Sequence, residues 1–562
     1  MAHLKVSIVV PVYNAGPYIE RCAPSLTEQS IGADAYEVVY VDDGSTDDSL
    51  ERLRLLAERH PHVRVLHQEN SGWPGKPRNV GIAAARGEYI QLVDQDDELA
   101  PEALERLYAM GKRNGSDIVM GKMAGTMVGP SAVFRRSRER CTVEDAPLIE
   151  TLTAHRMFRR EFLVEHDLRF PEGYWRMEDL LFMVQAYPKA KTVSILADYP
   201  CYFWNRREDG GNHSTAAYDL VEDYGRLRTV IGALRDSTEP GELQDRLMRR
   251  LYRVETMSRI GEPYVTRVDD EARLRAYEII RPLALEAFPP GVRAGMPAMQ
   301  KLRATLLEDG RPDSLLELAR RVQAVKPRLD VSAAEQDDDG RLTLHVRATF
   351  HRADGSPLTL VEQDGRYVLD PRFTEGIEGA EGLVVEDPLA YANGEILVND
   401  GRRKVWWHAE DTLVPHLEAY GEDGESQVVV EGDVVLDPTT LAGGEPLRPG
   451  AYEVWMGVQV LGVGRRPRLN PYDTEQRVAL ASKKLGGGAR TVRPEWSGPG
   501  KQLRLVVRNP PPPPKPKPPV AVQPPPKGLR RVYRGVLRRL SPKHRKAVRR
   551  LAASAASRLR RR

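Results

Sequence analysis

A chain of 562 residues, 41% hydrophobic and 29% charged, has room for roughly three or four domains at ~150 residues each and enough apolar content for their cores. It excludes a membrane-spanning helix, since no segment approaches ~20 apolar residues, and a disulfide scaffold, zinc knuckle or CxxC centre, since Cys22, Cys141 and Cys201 lie far apart. The 83 Lys plus Arg nearly balance 80 Asp plus Glu, but residues 528–562 hold 14 of the cations and no acid, which leaves residues 1–527 at −11 beneath an overall +3.

Met1 to Val12 carries only His3 and Lys5 before a β-branched run, not the three-part layout of a secretory signal, so a cytoplasmic protein is expected. From there to about residue 215, short β-branched stretches at Val6 to Val10, Glu37 to Val41, Val63 to His67, Tyr89 to Val93 and Ile118 to Gly121 alternate with helical patterns. Those patterns include Tyr18 to Gln29 and Asp47 to Arg59, the second preceded by the cap candidates Ser45 and Thr46. The alternation predicts an α/β domain with a largely parallel sheet, whose ligand chemistry clusters at the carboxyl ends of the strands. Residues 216–326 read as a helical connector, for example Glu242 to Ile260, Glu271 to Ala287 and Asp313 to Val325. Residues 327–509 drop to a period of two, as in Leu342 to Phe350, Val428 to Leu436, Tyr452 to Leu461 and Leu503 to Arg508. This predicts all-β sandwich modules, divided near residue 375 into 327–375 and 376–509.

Pro510 to Pro526 packs 11 prolines into 17 residues, a disordered linker sampling extended polyproline II that can hold its ends ~50 Å apart. Beyond it, Leu529, Val532, Tyr533, Val536, Leu537 and Leu540 recur at helical spacing with arginines between them, and Val548, Leu551 and Leu559 continue the stripe after Pro542. A basic amphipathic helix pair of this kind suits an anionic inner membrane leaflet, at ~1 kcal/mol per basic residue near the surface. The same charges serve a polymer or nucleic acid, but the body carries no nucleic-acid reading motif, so no specific nucleic-acid partner is expected.

Four motifs carry chemistry. Val10-Pro11-Val12-Tyr13-Asn14 ends the first strand, and Val41-Asp42-Asp43-Gly44-Ser45-Thr46-Asp47 ends the second; a carboxylate there can meet a base edge while an aromatic ring stacks on the base. Taken alone, Asp-Gly-Ser is equally a helix-starting turn. Asn70 to Gly81 opens a helix with Lys76, Arg78 and several glycines, a form that approaches a diphosphate closely or serves as a plain surface loop. Tyr89 to Val93 runs into Asp94-Gln95-Asp96-Asp97-Glu98. Carboxylates gathered at a buried strand end repel one another unless a cation compensates, and hard oxygen ligands favour Mg or Mn over zinc.

In this order the motifs VPVYN, VDDGSTD, PRNVGIAAARGEY and VDQDD resemble the family 2 glycosyltransferases of the GT-A fold, which invert the anomeric centre of a nucleotide-diphospho-sugar. The resemblance covers residues 5–215 and implies an α/β GT-A (Rossmann-like) catalytic domain. It implies that Pro11, Tyr13 and Asp43 hold the uracil end of a UDP-sugar, that Asn70 and Arg78 contact the nucleotide or diphosphate, that Asp94 binds ribose or sugar, and that Asp96 coordinates the divalent metal. Glu178 and Asp179 look like the family's Glu-Asp motif, with Asp179 as the base that takes the acceptor proton and Glu178 as a positioning carboxylate or the reserve candidate. Arg207 and His213, in the loop after Trp204, would neutralise the departing UDP. The stretch Trp73-Pro74-Gly75-Lys76-Pro77 departs from the small-residue run of many members.

The domain order also resembles the wall-teichoic-acid glycosyltransferases, which decorate polyol-phosphate polymers and form trimers through a C-terminal β region. That resemblance implies transfer of a hexose or N-acetylhexosamine from a UDP-sugar to an anionic cell-envelope polymer by a homo-oligomer, which the basic tail is expected to hold peripheral on the inner face of the membrane. The alternative is a non-catalytic nucleotide-sugar-binding scaffold docked to an envelope assembly.

Overall fold

Seven consecutive small or apolar residues, Val6–Val12, form strand β1, and every one is buried, the pattern of a central strand covered on both faces. The computed structural model describes residues 4–211, 218–421, 424–470, 480–498, 502–510 and 534–559. β1 pairs in parallel with β2 (Tyr36–Asp43) on one side and β4 (Tyr89–Leu92) on the other, and β3 (Val63–Gln68) lies outside β2. Helices α1 (Tyr18–Thr27), α2 (Ser49–Arg59) and α3 (Gly75–Ala84) make the crossovers. The sheet continues through β5 (Glu98–Leu99), β6 (Ile118–Ala124), β7 (Arg138–Cys141), β8 (Met157–Arg159) and β9 (Val193–Phe203) in the order β3-β2-β1-β4-β8-β6-β9-β5, with β7 also on β9. It is a mixed sheet: β8 runs antiparallel between β4 and β6, and β5 and β7 run antiparallel to β9. Helices α4 (Ala103–Asn114), α5 (Arg160–Glu165) and α6 (Glu178–Lys189) complete the domain.

Asp48, rather than Ser45 or Thr46, stands at the N-cap of α2. Ser45 Oγ instead accepts from the Asn14 amide at 3.0 Å, and Asn14 Oδ1 accepts from the Thr46 amide at 2.8 Å, tying the first two motifs together. The buried Glu37 is compensated by Ser7, Arg64 and Arg86, which all donate to its carboxylate.

The connector consists of α7 (Leu220–Asp236), α8 (Glu242–Arg250), α9 (Asp270–Ala287), α10 (Pro290–Ala294), α11 (Ala298–Glu308) and α12 (Pro312–Ala324). The single helix expected over 242–260 is shorter: α8 gives way to a wider π-helical stretch, Leu251–Thr256, and then to one tight turn, Met257–Arg259.

Two antiparallel sheets follow. One holds β10 (Lys326–Gln336), β11 (Leu342–His351), β12 (Thr359–Gln363), β13 (Arg366–Leu369) and β14 (Val384–Val385). The chain then crosses to the other sheet for β15 (Asn393–Asp400) and β16 (Val405–His408) and returns to the first for β17 (Glu410–Asp411), β18 (Val414–Tyr420) and β19 (Glu425–Leu436). It ends in the second sheet with β20 (Gly450–Val460), β21 (Val463–Arg465), β22 (Lys483–Lys484), β23 (Thr491–Ser497) and β24 (Gln502–Arg508). The division expected near residue 375 therefore does not separate the sheets, because β19 reaches back to pair with β11 and β12. The sheets touch where Gly394 of β15 meets Val430 of β19: a Cβ on Gly394 would stand 2.8 Å from the valine methyl.

Residues 1–509 form one compact unit and residues 510–562 a second. Most of the proline-rich segment and the first part of the basic stripe, including Leu529, Val532 and Tyr533, lie outside the described residues. Within the second unit, residues 534–538 are helical and a longer helix spans Pro542–Leu559. No described helix is long and apolar enough to cross a membrane.

Candidate active site

The carboxyl ends of β1, β2 and β4 open onto a cleft of about 700 Å³, beside the point where strand order reverses between β1 and β4. Pro11, Tyr13, Asp43 and Asn70 line one end. Tyr13 is 39% exposed, and its backbone is held from both sides by Gln95, whose side chain accepts at 2.8 Å and donates at 3.1 Å. The buried Asp43 carboxylate accepts from the Ser71 amide at 3.0 Å and hydroxyl at 2.9 Å, while Asn70 Nδ2 donates to the Asp43 carbonyl at 2.9 Å. Gly44 makes this approach possible: its φ is +71°, and a Cβ would stand 2.6 Å from the Asn70 nitrogen.

Asp94 and Asp96 face the middle of the cleft. Asp94 takes Arg78 Nη2 on one oxygen at 2.8 Å and lies 3.0 Å from His155 Nε2 on the other. Burial alone would raise the Asp94 pKa, but the charges of Arg78 and His155 override it and hold the carboxylate well below its usual range. Burial and the Asp94 charge push Asp96 the other way, to about 6, with Arg207 opposing. Asp97 turns inward, accepting from the Tyr202 hydroxyl at 2.6 Å and the Asn205 amide at 2.8 Å. Asp94, Asp97 and His155 place one possible ligand atom each within 4.8 Å of one another; of the three carboxylates, Asp94 and Asp96 line the cavity and Asp97 does not.

Arg78 is the hub. It is 3% exposed, and besides Asp94 it reaches Glu178 Oε1 at 3.1 Å and Asp179 Oδ1 at 2.9 Å. Asp179 Oδ2 accepts from the Ala154 amide at 3.0 Å, and Glu178 Oε2 accepts from Trp73 Nε1 at 2.8 Å. Both carboxylates open helix α6, where the backbone dipole favours negative charge. Burial and the neighbouring Asp179 charge nevertheless push Glu178 up to about 7, against the pull of Arg78 and the Trp73 hydrogen bond. Arg78 thus lines the cleft while it binds three carboxylates of this chain. Asn79, next to it, clamps the 170–172 segment by donating to the Phe170 carbonyl at 2.9 Å and accepting from the Phe170 amide at 2.9 Å.

Arg207 lines the mouth, stacked 4.3 Å over the Tyr18 ring and paired with Asp209 at 2.8 Å. His213 lies outside the described residues. Lys76 does not line the cleft. Among the lining residues that went unassigned in the sequence reading are His155, Trp73, Arg176 and Arg250. His155 is buried and stacked on Tyr202 with centroids 4.7 Å apart; the adjacent pair His155-Arg156 just before an apolar strand was the available signal. Trp73 belongs to the stretch that departs from the family pattern. Arg250 comes from α8 of the connector, with Arg176 beside it in the wall, and nothing local marks it.

Residues 7–177 match Glycosyl transferase family 2, so this α/β unit is a family 2 glycosyltransferase domain of the GT-A fold. Residues 221–319, most of the connector, match the Glycosyl transferase TarS linker domain. The poly(ribitol-phosphate) beta-glucosyltransferase of Bacillus spizizenii is 38% identical over 238 residues, 42% of this chain and 37% of that protein. The poly(ribitol-phosphate) beta-N-acetylglucosaminyltransferase TarS of Staphylococcus aureus is 35% identical over 231 residues, 41% of this chain and 40% of that protein. The matched regions thus span about two fifths of the length of these relatives. The crystal structure of S. aureus TarS 1-349 in complex with UDP-GlcNAc superposes with a TM-score of 0.53 at 25% identity, covering 66% of this chain and 98% of that one. The crystal structure of S. aureus TarS shares the fold over 90% of this chain and 85% of that one, with a TM-score of 0.51 at 19% identity.

Proposed function

We propose that this chain is an inverting glycosyltransferase that moves a hexose or N-acetylhexosamine from a UDP-sugar to a hydroxyl of a polyol-phosphate teichoic acid or a similar anionic envelope polymer. The observation that carries the reading is a single cleft that gathers the strand-end residues Pro11, Tyr13, Asp43 and Asn70, the acidic pair Asp94 and Asp96, and the carboxylates Glu178 and Asp179. The relatives named above, and the UDP-GlcNAc complex among them, point to the same donor and acceptor classes.

In this reading the uracil end lies against Tyr13 and Asp43, and Arg207 at the mouth meets charge developing on the diphosphate. Glu178 and Asp179 share the Arg78 guanidinium. Asp179 takes the proton of the attacking hydroxyl, and Glu178 shares the cation that holds both in place. Arg176 and Arg250 put guanidinium groups into the wall, suited to a phosphate-bearing acceptor. The donor set also fits a divalent Mn or Mg: Asp96 is a hard oxygen ligand that lines the cleft beside Asp94. When bound, such an ion supplies charge neutralisation for the leaving diphosphate.

Contact of the basic C-terminal helix with an anionic membrane surface, and assembly into a homo-oligomer through the C-terminal sheets, belong to the same reading; vesicle sedimentation and light scattering on the full chain test them.

The deciding experiment is UDP release over a panel of UDP-sugars with and without Mn or Mg, first as slow donor hydrolysis and then with polyribitol or polyglycerol phosphate. Metal-dependent release of UDP from one donor, lost in Asp96→Ala, supports the enzyme. No release with any donor overturns it in favour of a nucleotide-sugar-binding scaffold.

A further inference from the structure

A second, smaller cavity lies away from the cleft and shares no lining residue with it. It measures about 170 Å³ and sits where the glycosyltransferase domain meets the C-terminal sheets. Lys122 of β6 and Asp198 of β9 face Trp407 and His408 of β16 across it, and the loop through Gly443 closes one side. That loop is pressed against β9: Gly443 has φ +73°, and a Cβ there would stand 1.9 Å from the Asp198 carbonyl oxygen.

Lys122 is 3% exposed. An ammonium has three N–H donors, yet among the described residues Lys122 makes one hydrogen bond, at 3.4 Å to the Phe134 carbonyl, and otherwise lies 4.9 Å from the centre of the Trp407 ring. Burial pushes its pKa down to about 7, with Asp198 the carboxylate acting against that. The His408 side chain is 5% exposed with Nε2 3.2 Å from Glu395, and its Nδ1 has no partner among the described residues. Arg135 and Arg136 stand in the wall as well, the first paired with Asp411 at 2.8 Å. Four nitrogen-bearing side chains from three segments, Lys122 on β6, His408 on β16 and the adjacent Arg135 and Arg136, thus line a space that holds about five or six waters at ~30 Å³ each.

Burying a cation with so few acceptors is costly, and an oxyanion in the cavity supplies what is missing. A carboxylate offers two oxygens in one plane, whereas a tetrahedral phosphate presents oxygens in several directions and suits cations arriving from different strands and loops. Asp198 and Glu410 in the wall are acceptors for hydroxyl groups on whatever the phosphate carries, whereas Asp437 is already engaged by Thr439 and Arg341. We propose that this cavity is a second ligand site, which binds a phosphate group on a short hydroxylated carbon chain between the catalytic domain and the β sheets.

The test needs no transferase activity, so it stands apart from the reading of the cleft. Thermal unfolding of the full chain is followed with inorganic phosphate and with glycerol 3-phosphate, at matched ionic strength and with excess UDP to occupy the cleft. The expected result is a saturable rise in Tm that is larger for glycerol 3-phosphate. It is absent in Lys122→Met, which keeps the side-chain length, and needs at least tenfold more ligand in Arg136→Ala, an exposed position that leaves the core intact. No saturable rise in the wild type, or an equal rise in both variants, overturns the site. An equal response to inorganic phosphate and glycerol 3-phosphate overturns the hydroxylated part of the assignment.

Discussion

Trp73 Nε1 donates a 2.8 Å hydrogen bond to Glu178 Oε2 across 105 residues of chain, joining the loop before α3 to the first residue of α6. The indole also packs edge-on against Tyr174, 4.7 Å away, and Tyr174 in turn lies under Arg226 of the connector helix α7. The donor favours the ionised form of Glu178. Trp73→Phe keeps a ring and removes that donor, so the pKa of Glu178 rises above about 7. A hydrogen bond to a charged group is worth about 1.5–3 kcal/mol. The acid limb of the donor-hydrolysis pH profile is therefore expected to move up by about one unit, with turnover falling about tenfold at pH 6.5 and far less at pH 9. An unchanged limb shows that Glu178 does not govern it.

Arg78 pairs with Asp94, Glu178 and Asp179 at once. Arg78→Met leaves three carboxylates at close quarters, and unpairing buried charges costs about 3–5 kcal/mol. Urea unfolding is expected to show that loss at pH 8 and a smaller one at pH 5, where the carboxylates take up protons. An equal loss at both pH values indicates that packing, not charge, is what Arg78 contributes.

Asp96 carries a pKa of about 6, above the usual aspartate value. The sign follows: ionising it in the folded protein costs stability, which is present at low pH and declines as pH rises toward 6. Asp96→Asn removes that cost, so the variant is expected to be about 2 kcal/mol more stable than wild type at pH 8 and no more stable at pH 4. The same change is expected to abolish Mn binding followed by electron paramagnetic resonance. A variant that keeps full Mn affinity removes Asp96 from the ligand set.

Gly75 opens α3, and a Cβ there would lie 2.0 Å from the Pro171 carbonyl oxygen. Gly75→Ala must therefore separate the start of α3 from the segment leading to Glu178. Overpacking of this kind costs about 1–3 kcal/mol, and turnover is expected to fall with Tm. A variant with wild-type Tm and turnover means the segment can shift freely.

Residues 510–562 form their own unit. Truncation after Asn509 is expected to leave the Tm of the remaining chain and its turnover on a soluble acceptor unchanged, while cosedimentation with anionic vesicles is lost. Retained vesicle binding moves the membrane contact to the body.

Legibility in the sequence tracks the range of the interactions. Pro11, Asp43, Asp94 and Asp96 are readable because they stand at or just past the ends of the apolar strands β1, β2 and β4, a pattern held within ten residues, and parallel pairing then brings the strand ends together. The regular helices and period-two strands are readable for the same reason. His155 and Trp73 are not, since their partners Asp94 and Glu178 lie 61 and 105 residues away. Arg250 reaches the cleft only because the connector folds back on it. Arg78 carries a motif that names it, yet its partners here are carboxylates of the same chain, which only the folded geometry reveals. The boundary near 375 failed because alternation identifies a strand without saying which sheet receives it.

The passage of the chain from one C-terminal sheet to the other and back has a genetic consequence. A crossover or stop codon anywhere between the starts of β11 and β24 breaks at least one sheet, since the first draws on residues 326–436 and the second on 393–508. Lineages can exchange this region only as a block, and shortened alleles ending inside it should be lost to misfolding, whatever the state of the catalytic half.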